Sequence, residues 1–203
     1  MNKFGTAILL AGGKSSRMGF DKQQLKVNNI LLVEYIINRL YTVFDDIVVV
    51  TNNSEHYTNL PCRTVQDEIP GYGPLSGIHI GLKMAKNQYG YVMACDMPYI
   101  NFDYIAYLKN RMEQVDCDAC VTVFNQEWIE PFHGFYSKKL ISPIEEYLKS
   151  GKRSVFGLLK NFNSIYIEEE IAREYSPNWD LFLNINTKED LLELEKQWSN
   201  LKI

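Results

Sequence analysis

The chain has 203 residues, of which 46% are hydrophobic, and this length suits one α/β domain with a sizeable core. Its formal net charge of −4 argues against a broad nucleic-acid-binding surface, which needs Lys and Arg clustered over a whole face. No apolar run approaches the roughly 18 residues that cross a bilayer, and the N-terminus lacks the basic region of a signal peptide. We therefore expect a cytoplasmic protein that binds anions at a local site and has neither a membrane nor a nucleic acid as partner.

The first loop of the chain predicts a phosphate-binding site. Residues 10–22 read LAGGKSSRMGFDK and directly follow a predicted strand at residues 4–10. Glycines let the backbone approach an anion, serines donate hydrogen bonds, and Lys14, Arg17 and Lys22 supply positive charge. The loop is not a Walker A loop, because Ile8 stands where its first glycine belongs, and it lacks the G-x-G-x-x-G spacing of dinucleotide-binding folds. We expect a different kind of polyphosphate site.

The order of strand-like and helical patterns predicts the fold class. Further strands are expected at residues 47–51, 63–65, 91–94, 121–124 and 135–136, and helices are expected around residues 32–40, 105–112, 140–149 and 187–198. Asn186 or Thr187 is the expected cap of the last helix. The alternation is typical of βαβ units, so we predict an α/β fold of three layers with a mostly parallel central sheet and helices on both faces. Four scattered cysteines, including the Cys117–Cys120 pair, are expected to be reduced packing residues.

The second loop of interest, QDEIPGYGPLSG at residues 66–77, follows the strand predicted at residues 63–65. Pro74 suits the first turn of a helix, whose free N–H groups, with Ser76 nearby, are able to receive a base or phosphate. Asp67 is placed to accept hydrogen bonds from a sugar or purine. A plain connection between a strand and a helix explains the glycines and prolines about as well, and His79 in this helix is expected to be a packed side chain.

The third loop, ACDMPYI at residues 94–100, places a carboxylate at the end of an apolar strand. Magnesium takes only one or two protein carboxylates and completes its coordination with phosphates and water, so Asp96 alone can suffice. The alternative is that Asp96 caps the helix that begins near Asn101, but it lies several residues too early. The three loops together indicate a site for magnesium and a nucleoside triphosphate, and the sequence shows no nucleophile–base pair. This combination favours nucleotidyl transfer to an acceptor that is already ionised.

Five motifs, LAGGKSSRMGFDK, GPLSG, CDMPY, EPFHGFY and FLNINTKEDL, together resemble the molybdenum cofactor guanylyltransferases, in order and over nearly the whole chain. Many other nucleotidyltransferases share the first motif, whereas Cys-Asp-Met-Pro and the final Asn-Ile-Asn-Thr narrow the choice. The sister cytidylyltransferases usually show Gly-Asp-Gln-Pro around the position of Asp96.

The resemblance implies a Rossmann-like nucleotidyltransferase fold and a Mg²⁺-dependent transfer of GMP from GTP to Mo-molybdopterin, with release of pyrophosphate. It implies one domain over residues 1–203, with a nucleotide-binding part at about 1–100 and an acceptor part at about 101–203. Asp96 would carry the metal and Asn184 and Asn186 would contact the pterin. Arg17, Lys22 and Asp96 are the expected catalytic residues, with Arg17 and Lys14 on the departing pyrophosphate. The nucleotide site would comprise Leu10, Ala11, Gly12, Gly13, Lys14, Lys22, Asp67 and Asp96.

Several alternatives stay open from the sequence. One enzyme alternative transfers CMP to the same pterin or a nucleotide to a sugar phosphate, and a non-enzyme alternative delivers cofactor to apoenzymes. Proteins that insert molybdopterin or mature molybdoenzymes are expected partners, although no motif marks their contact. Family members often carry Asn directly after the second strand, where this chain has Thr51 followed by Asn52 and Asn53. Which of these three contacts the nucleotide is open.

Overall fold

The computed structural model describes residues 2–11, 22–125 and 128–200. The strands are β1 (Thr6–Leu10), β2 (Lys26–Val27), β3 (Ile30–Leu31), β4 (Asp46–Val50), β5 (Arg63–Val65), β6 (Tyr89–Ala94), β7 (Ala119–Phe124), β8 (Trp128–Ser137) and β9 (Ser164–Glu168). The helices are α1 (Leu32–Leu40), α2 (Pro74–Met84), α3 (Phe102–Glu113), α4 (Ile141–Lys149), α5 (Val155–Leu159), α6 (Glu169–Tyr175) and α7 (Lys188–Asn200).

The central sheet has the strand order β5-β4-β1-β6-β8-β7-β9, while β2 and β3 form a separate hairpin. Among the strands described in this sheet, β8 alone runs antiparallel to its neighbours, β6 and β7. Leu10 at the end of β1 is level with Val50 on β4 and Ala94 on β6. The loops that follow these strands therefore share one edge of the sheet, which we call the carboxyl edge, and β8 begins at that same edge.

Helices cover both faces of the sheet, which confirms the predicted three-layer α/β fold. One core lies between the sheet and α1, α3 and α7, and the other lies between the sheet and α2, α4 and α5. Helix α1 shows why: its apolar residues recur along one stripe, and Leu32, Ile36 and Leu40 are fully buried. Strand β4 is buried throughout, as expected for a parallel strand with a layer of helices on each side.

Glycines let helix α2 approach the central strand closely. A Cβ atom at Gly81 would lie 2.3 Å from Cγ2 of Ile8, and one at Gly77 would lie 2.9 Å from Cδ2 of Leu10. Gly73 precedes the helix with a φ of +71°, a conformation that glycine adopts without strain. The start of α2 is therefore held directly over the end of β1.

The predicted elements of the first half are confirmed with shifts of one or two residues at their ends. In the second half, β8 spans Trp128–Ser137, well beyond the predicted residues 135–136, and β9, α5 and α6 were not predicted. Cys117 and Cys120 are buried free thiols, which confirms their packing role. In the described part of the chain, no helix combines the length and apolar character needed to cross a bilayer.

Candidate active site

Three residues predicted to carry function from distant parts of the sequence meet at the carboxyl edge. The ammonium group of Lys22 forms an ion pair with Asp96, and the same group donates a hydrogen bond to Oδ1 of Asn186 at 2.9 Å. Lys22 belongs to the predicted phosphate loop, Asp96 follows β6, and Asn186 precedes α7. The predicted nucleotide, metal and pterin contacts are thereby brought to one point.

Backbone hydrogen bonds hold the loops around this point together. The N–H of Ile185 donates to the carbonyl oxygen of Asp96 at 2.8 Å, and the N–H of Cys95 donates to the carbonyl oxygen of Leu10 at 3.0 Å. Ile185 is fully buried, so the segment is anchored in the core, while Asn184 is half-buried and Asn186 is exposed. The position of Asn186 thus follows from that of Asp96.

A capping arrangement at the start of α7 fixes Asn186 from its other side. Oδ2 of Asp190 accepts hydrogen bonds from the N–H groups of Asn186 and Thr187, each at 2.8 Å, and the N–H of Asp190 donates to Oγ1 of Thr187 at 3.1 Å. These backbone hydrogen bonds lower the pKa of Asp190, and the one from Asn186 has the largest effect. The sequence left Asn186 and Thr187 open as the cap of this helix, and the structure shows that Thr187 is the cap.

A buried polar network holds Gln23, the residue next to Lys22, in place. Oε1 of the neighbouring Gln23 accepts hydrogen bonds from Oγ1 of Thr51 at 2.7 Å and from the hydroxyl of Tyr57 at 2.9 Å. Oγ1 of Thr51 also accepts from the N–H of Asn53 at 3.0 Å, and Thr51 is only 2% exposed. Thr51 is thus a structural residue, and Asn52 and Asn53 stay as the candidates for nucleotide contact after β4.

The predicted nucleotide residues Leu10 and Ala11 lie at the carboxyl edge. The N–H of Ala11 donates to the carbonyl oxygen of Val50 at 2.9 Å, which extends the pairing of β1 and β4 by one residue. Ser76 in the first turn of α2 is fully buried. The Ser76 side chain is therefore shielded from solvent, and its N–H donates to the carbonyl oxygen of Gly73 at 3.3 Å.

Asp67 also lies at the carboxyl edge, directly after β5, where its Oδ1 accepts a hydrogen bond from the N–H of Ile69 at 2.9 Å. Strand β5 is three positions from β6 in the sheet, so Asp67 stands roughly 14 Å to one side of the Asp96 loop. This separation suits residues that contact opposite ends of one extended nucleotide. Its role toward the nucleoside stays a prediction.

The donor set fits a hard cation. Among the described residues, no three His, Cys, Asp or Glu side chains converge as a metal site. Instead, oxygen atoms of Asp96 and Asn186 converge on the ammonium group of Lys22. Oxygen donors with few protein carboxylates are what Mg²⁺ uses when substrate phosphates and water complete its coordination.

Comparisons with known proteins agree with this geometry. The profile of the MobA-like NTP transferase domain matches residues 7–163. A molybdenum cofactor guanylyltransferase from Syntrophotalea carbinolica is 49% identical over 199 residues, which span 98% of this chain and 94% of the relative. A probable molybdenum cofactor guanylyltransferase from Peptoclostridium acidaminophilum is 49% identical over 193 residues, spanning 93% of this chain and 87% of the relative.

The chain belongs to the MobA-like NTP transferase family. The crystal structure of molybdopterin-guanine dinucleotide biosynthesis protein A from Archaeoglobus fulgidus superposes with a TM-score of 0.81 at 25% identity, covering 96% of this chain and 99% of that one. Membership in the MobA-like family confirms the predicted resemblance and identifies the chain as a nucleotidyltransferase.

Four predicted residues of the MobA-like phosphate loop, Gly12, Gly13, Lys14 and Arg17, lie outside the described residues. Their roles stay predictions. His79, in contrast, is confirmed as a packed side chain: it is 1% exposed, and its Nε2 lies 2.8 Å from Oε1 of Glu145 on α4.

Sequence reasoning assigned no role to Glu130, although the residue lies in the EPFHGFY motif. Its Oε1 accepts a hydrogen bond from the N–H of Phe132 at 3.1 Å. Burial, with a smaller contribution from the charge of Asp96, raises the pKa of Glu130 to about 7. His133 in the same motif is buried in the core, where its Nδ1 lies 2.7 Å from the hydroxyl of Tyr91.

Proposed function

We propose that this chain transfers GMP from GTP to the phosphate of Mo-molybdopterin, forming molybdopterin guanine dinucleotide and releasing pyrophosphate in the cytoplasm. The observation that carries the proposal is the contact of Lys22 with both Asp96 and Asn186. It joins a side chain of the predicted phosphate loop to one of the predicted acceptor segment. The names of the relatives at 49% identity support guanine as the base and molybdenum cofactor as the acceptor.

The chain's own groups supply positioning and charge. The acceptor phosphate is ionised near neutral pH, so it attacks the α-phosphorus of GTP without a general base. A bond forms between an acceptor oxygen and the α-phosphorus while the bond to the bridging oxygen of the β-phosphate breaks, and pyrophosphate leaves. Lys22 stabilises the negative charge that builds on the phosphates, because its ammonium group is already held at the junction of the two half-sites.

Asp96 is proposed to hold Mg²⁺, with the Asn186 amide oxygen nearby. Bound there with GTP, the ion would neutralise phosphate charge and polarise the phosphoryl group. The Asp96 side chain is 12% exposed and already faces a cation. Replacing its carboxylate by an amide keeps the shape of the side chain and removes the charge.

Pyrophosphate release tests the function. The purified chain is incubated with Mg²⁺, Mo-molybdopterin and GTP, CTP, ATP or UTP in separate reactions, and pyrophosphate is measured. We expect release with GTP and Mo-molybdopterin together, and none when either is omitted. Release with CTP in place of GTP would point to the cytidylyl alternative, and tight binding without release from any nucleotide would point to the delivery alternative.

The Asp96→Asn variant is the control for the site. It should lose at least about a hundredfold in turnover, the order seen when one preorganised electrostatic group is removed from an active site. Its thermal unfolding should match that of the unmodified chain, since the backbone contacts of the loop are kept. Near-normal turnover of this variant would refute the proposed role of Asp96.

A further inference from the structure

We propose that Trp128 and Glu130 form the pterin-binding half of the acceptor site, with the Trp128 ring stacked on the pterin and Glu130 accepting hydrogen bonds from its amino-pyrimidinone edge. The inference rests on the proposed function, because that function supplies a pterin as the acceptor. It assigns the ring contacts to the start of β8, beside the segment of Asn184 and Asn186.

Strand geometry places the two side chains together. Trp128 and Glu130 are two residues apart on β8, so they project from the same face of the sheet. The pairing of β8 with β7 puts Trp128 opposite Phe124 and Glu130 opposite Thr122. The face they share also carries the core that contains Phe182, the first residue of the FLNINTKEDL motif.

The ring of Trp128 has a rigid support beneath it and open space beside it. It stacks on the ring of Phe124 with centroids 4.0 Å apart and an interplanar angle of 22°, yet Trp128 is 52% exposed. Phe124 is 3% exposed and meets the ring of Trp179 edge-on at 5.0 Å. A half-exposed indole that is held in place by a buried ring offers a flat surface on which a second flat ring can stack.

Glu130 offers the complementary polar group. Its Oε1 accepts the hydrogen bond from Phe132, whereas among the described residues its Oε2 accepts none. An amino-pyrimidinone ring presents an amino group and a neighbouring ring N–H along one edge, and a carboxylate is the acceptor that such a pair of donors requires. A stacking ring and a carboxylate on one strand face thus match both the face and the edge of the pterin.

Trp128 and Glu130 also lie on the side of the site that is away from Asp67, the predicted nucleoside contact. The pairing of β6 with the antiparallel β8 runs from Tyr89–Ser137 to Val92–Gly134, so the start of β8 extends past the carboxyl end of β6, which Asp96 follows. Strand β8 stands on the side of β6 away from β5 and Asp67. A ring bound at Trp128 therefore lies beyond Asp96 from the nucleoside, as an acceptor must.

The first experiment replaces the ring. Trp128→Leu removes the stacking surface, Trp128→Tyr keeps an aromatic face, and Tyr41→Leu is the matched control because Tyr41 is 56% exposed and follows α1 at the opposite edge of the sheet. Initial rates with Mo-molybdopterin and GTP give a KM for each substrate. We expect Trp128→Leu to raise the KM for Mo-molybdopterin by about tenfold, the usual scale for a lost stacking contact, with the KM for GTP unchanged. Trp128→Tyr should restore most of the loss, and Tyr41→Leu should have no effect.

The second experiment replaces the carboxylate. Glu130→Gln keeps an oxygen for the N–H of Phe132 but presents one oxygen and one amino group in place of two oxygens. We expect a rise of about tenfold in the KM for Mo-molybdopterin, because a donor of the pterin loses its acceptor. A shift in the Mg²⁺ concentration needed for half-maximal rate, with an unchanged KM for Mo-molybdopterin, would show that Glu130 serves the metal and would overturn its assignment to the pterin.

A binding measurement separates this inference from the proposed function. Molybdopterin is titrated into the chain without nucleotide while tryptophan fluorescence is recorded. Quenching in the unmodified chain that is lost in Trp128→Leu supports the ring contact, even if no nucleotide gives pyrophosphate and the proposed function fails. Equal quenching in both proteins, or equal KM values for Mo-molybdopterin, would overturn the inference and leave the proposed function standing.

Discussion

At the scale of single residues, Lys22 has the most direct consequence for turnover, because its ammonium group contacts both Asp96 and Asn186. We predict that Lys22→Ala lowers kcat/KM by at least about a hundredfold, since a preorganised positive charge is lost where phosphate charge builds up. Steady-state rates with GTP and Mo-molybdopterin check this. Lys26→Ala is the control, because Lys26 is an exposed lysine on the nearby β2 and should leave kcat/KM unchanged. Equal rates for the two variants would contradict the role of Lys22.

The residues that could be predicted from the sequence are those whose chemistry is visible in a motif. Lys22 ends the glycine-rich loop after the first predicted strand, Asp96 follows another predicted strand, and Asn186 precedes a predicted helix. Glu130 and Gln23 escaped prediction for a physical reason: their importance comes from burial and from partners that are far away in sequence. Thr51, for example, lies 28 residues from the Gln23 that it contacts.

At the scale of elements, the start of α7 controls the acceptor segment. We predict that Asp190→Ala destabilises the fold by about 1 kcal/mol, the usual cost of a lost cap, and raises the KM for Mo-molybdopterin more than that for GTP. The reason is that Asp190 binds the N–H groups of Asn186 and Thr187. Urea unfolding and the two KM values check it.

Glu189→Ala provides the comparison, because Glu189 occupies the same first turn and is exposed. If Asp190→Ala and Glu189→Ala have the same KM for Mo-molybdopterin, the cap does not position Asn186.

Apart from the short β2–β3 hairpin, which was not predicted, the elements of the first half were predictable because they form regular βα units with a clear apolar period. The second half departs from that rule: β8 runs antiparallel between β6 and β7, and the β7–β8 pairing shifts register between Cys120 and Thr122. His133 has a φ of +51° within β8, so no simple alternation marks this strand. Tertiary pairing, rather than local pattern, defines it.

At the scale of the whole molecule, a buried histidine makes stability depend on pH. Burial lowers the pKa of His133 to about 3, whereas an unfolded histidine titrates near 6.5. Between these values the unfolded chain binds the extra proton, so stability is complete above about pH 6.5 and falls as the pH decreases, by up to about 1.4 kcal/mol per pH unit.

Glu130 acts in the opposite direction, because its raised pKa makes the folded chain bind the extra proton. The unfolding free energies of the unmodified chain and of His133→Gln are measured at pH 6.5, 6.0 and 5.5. Subtracting one from the other removes the contribution of Glu130, which both proteins share. We predict that the difference in unfolding free energy between the two proteins depends on pH with the sign given above. A constant difference would show that His133 has the same pKa in the folded and unfolded chains, which would contradict the lowered pKa.

Transfer of label from [α-³²P]GTP tests whether the phosphate loop, Asp96 and the acceptor segment form one guanylyl-transfer site. The chain is mixed with labelled GTP, Mg²⁺ and Mo-molybdopterin, and the products are separated and counted. We predict that the label appears in a pterin dinucleotide in equal amount to the pyrophosphate released, and that Asp96→Asn abolishes both. Label that stays in GTP, GDP or free GMP while the unmodified chain is folded and saturated with both substrates would contradict it.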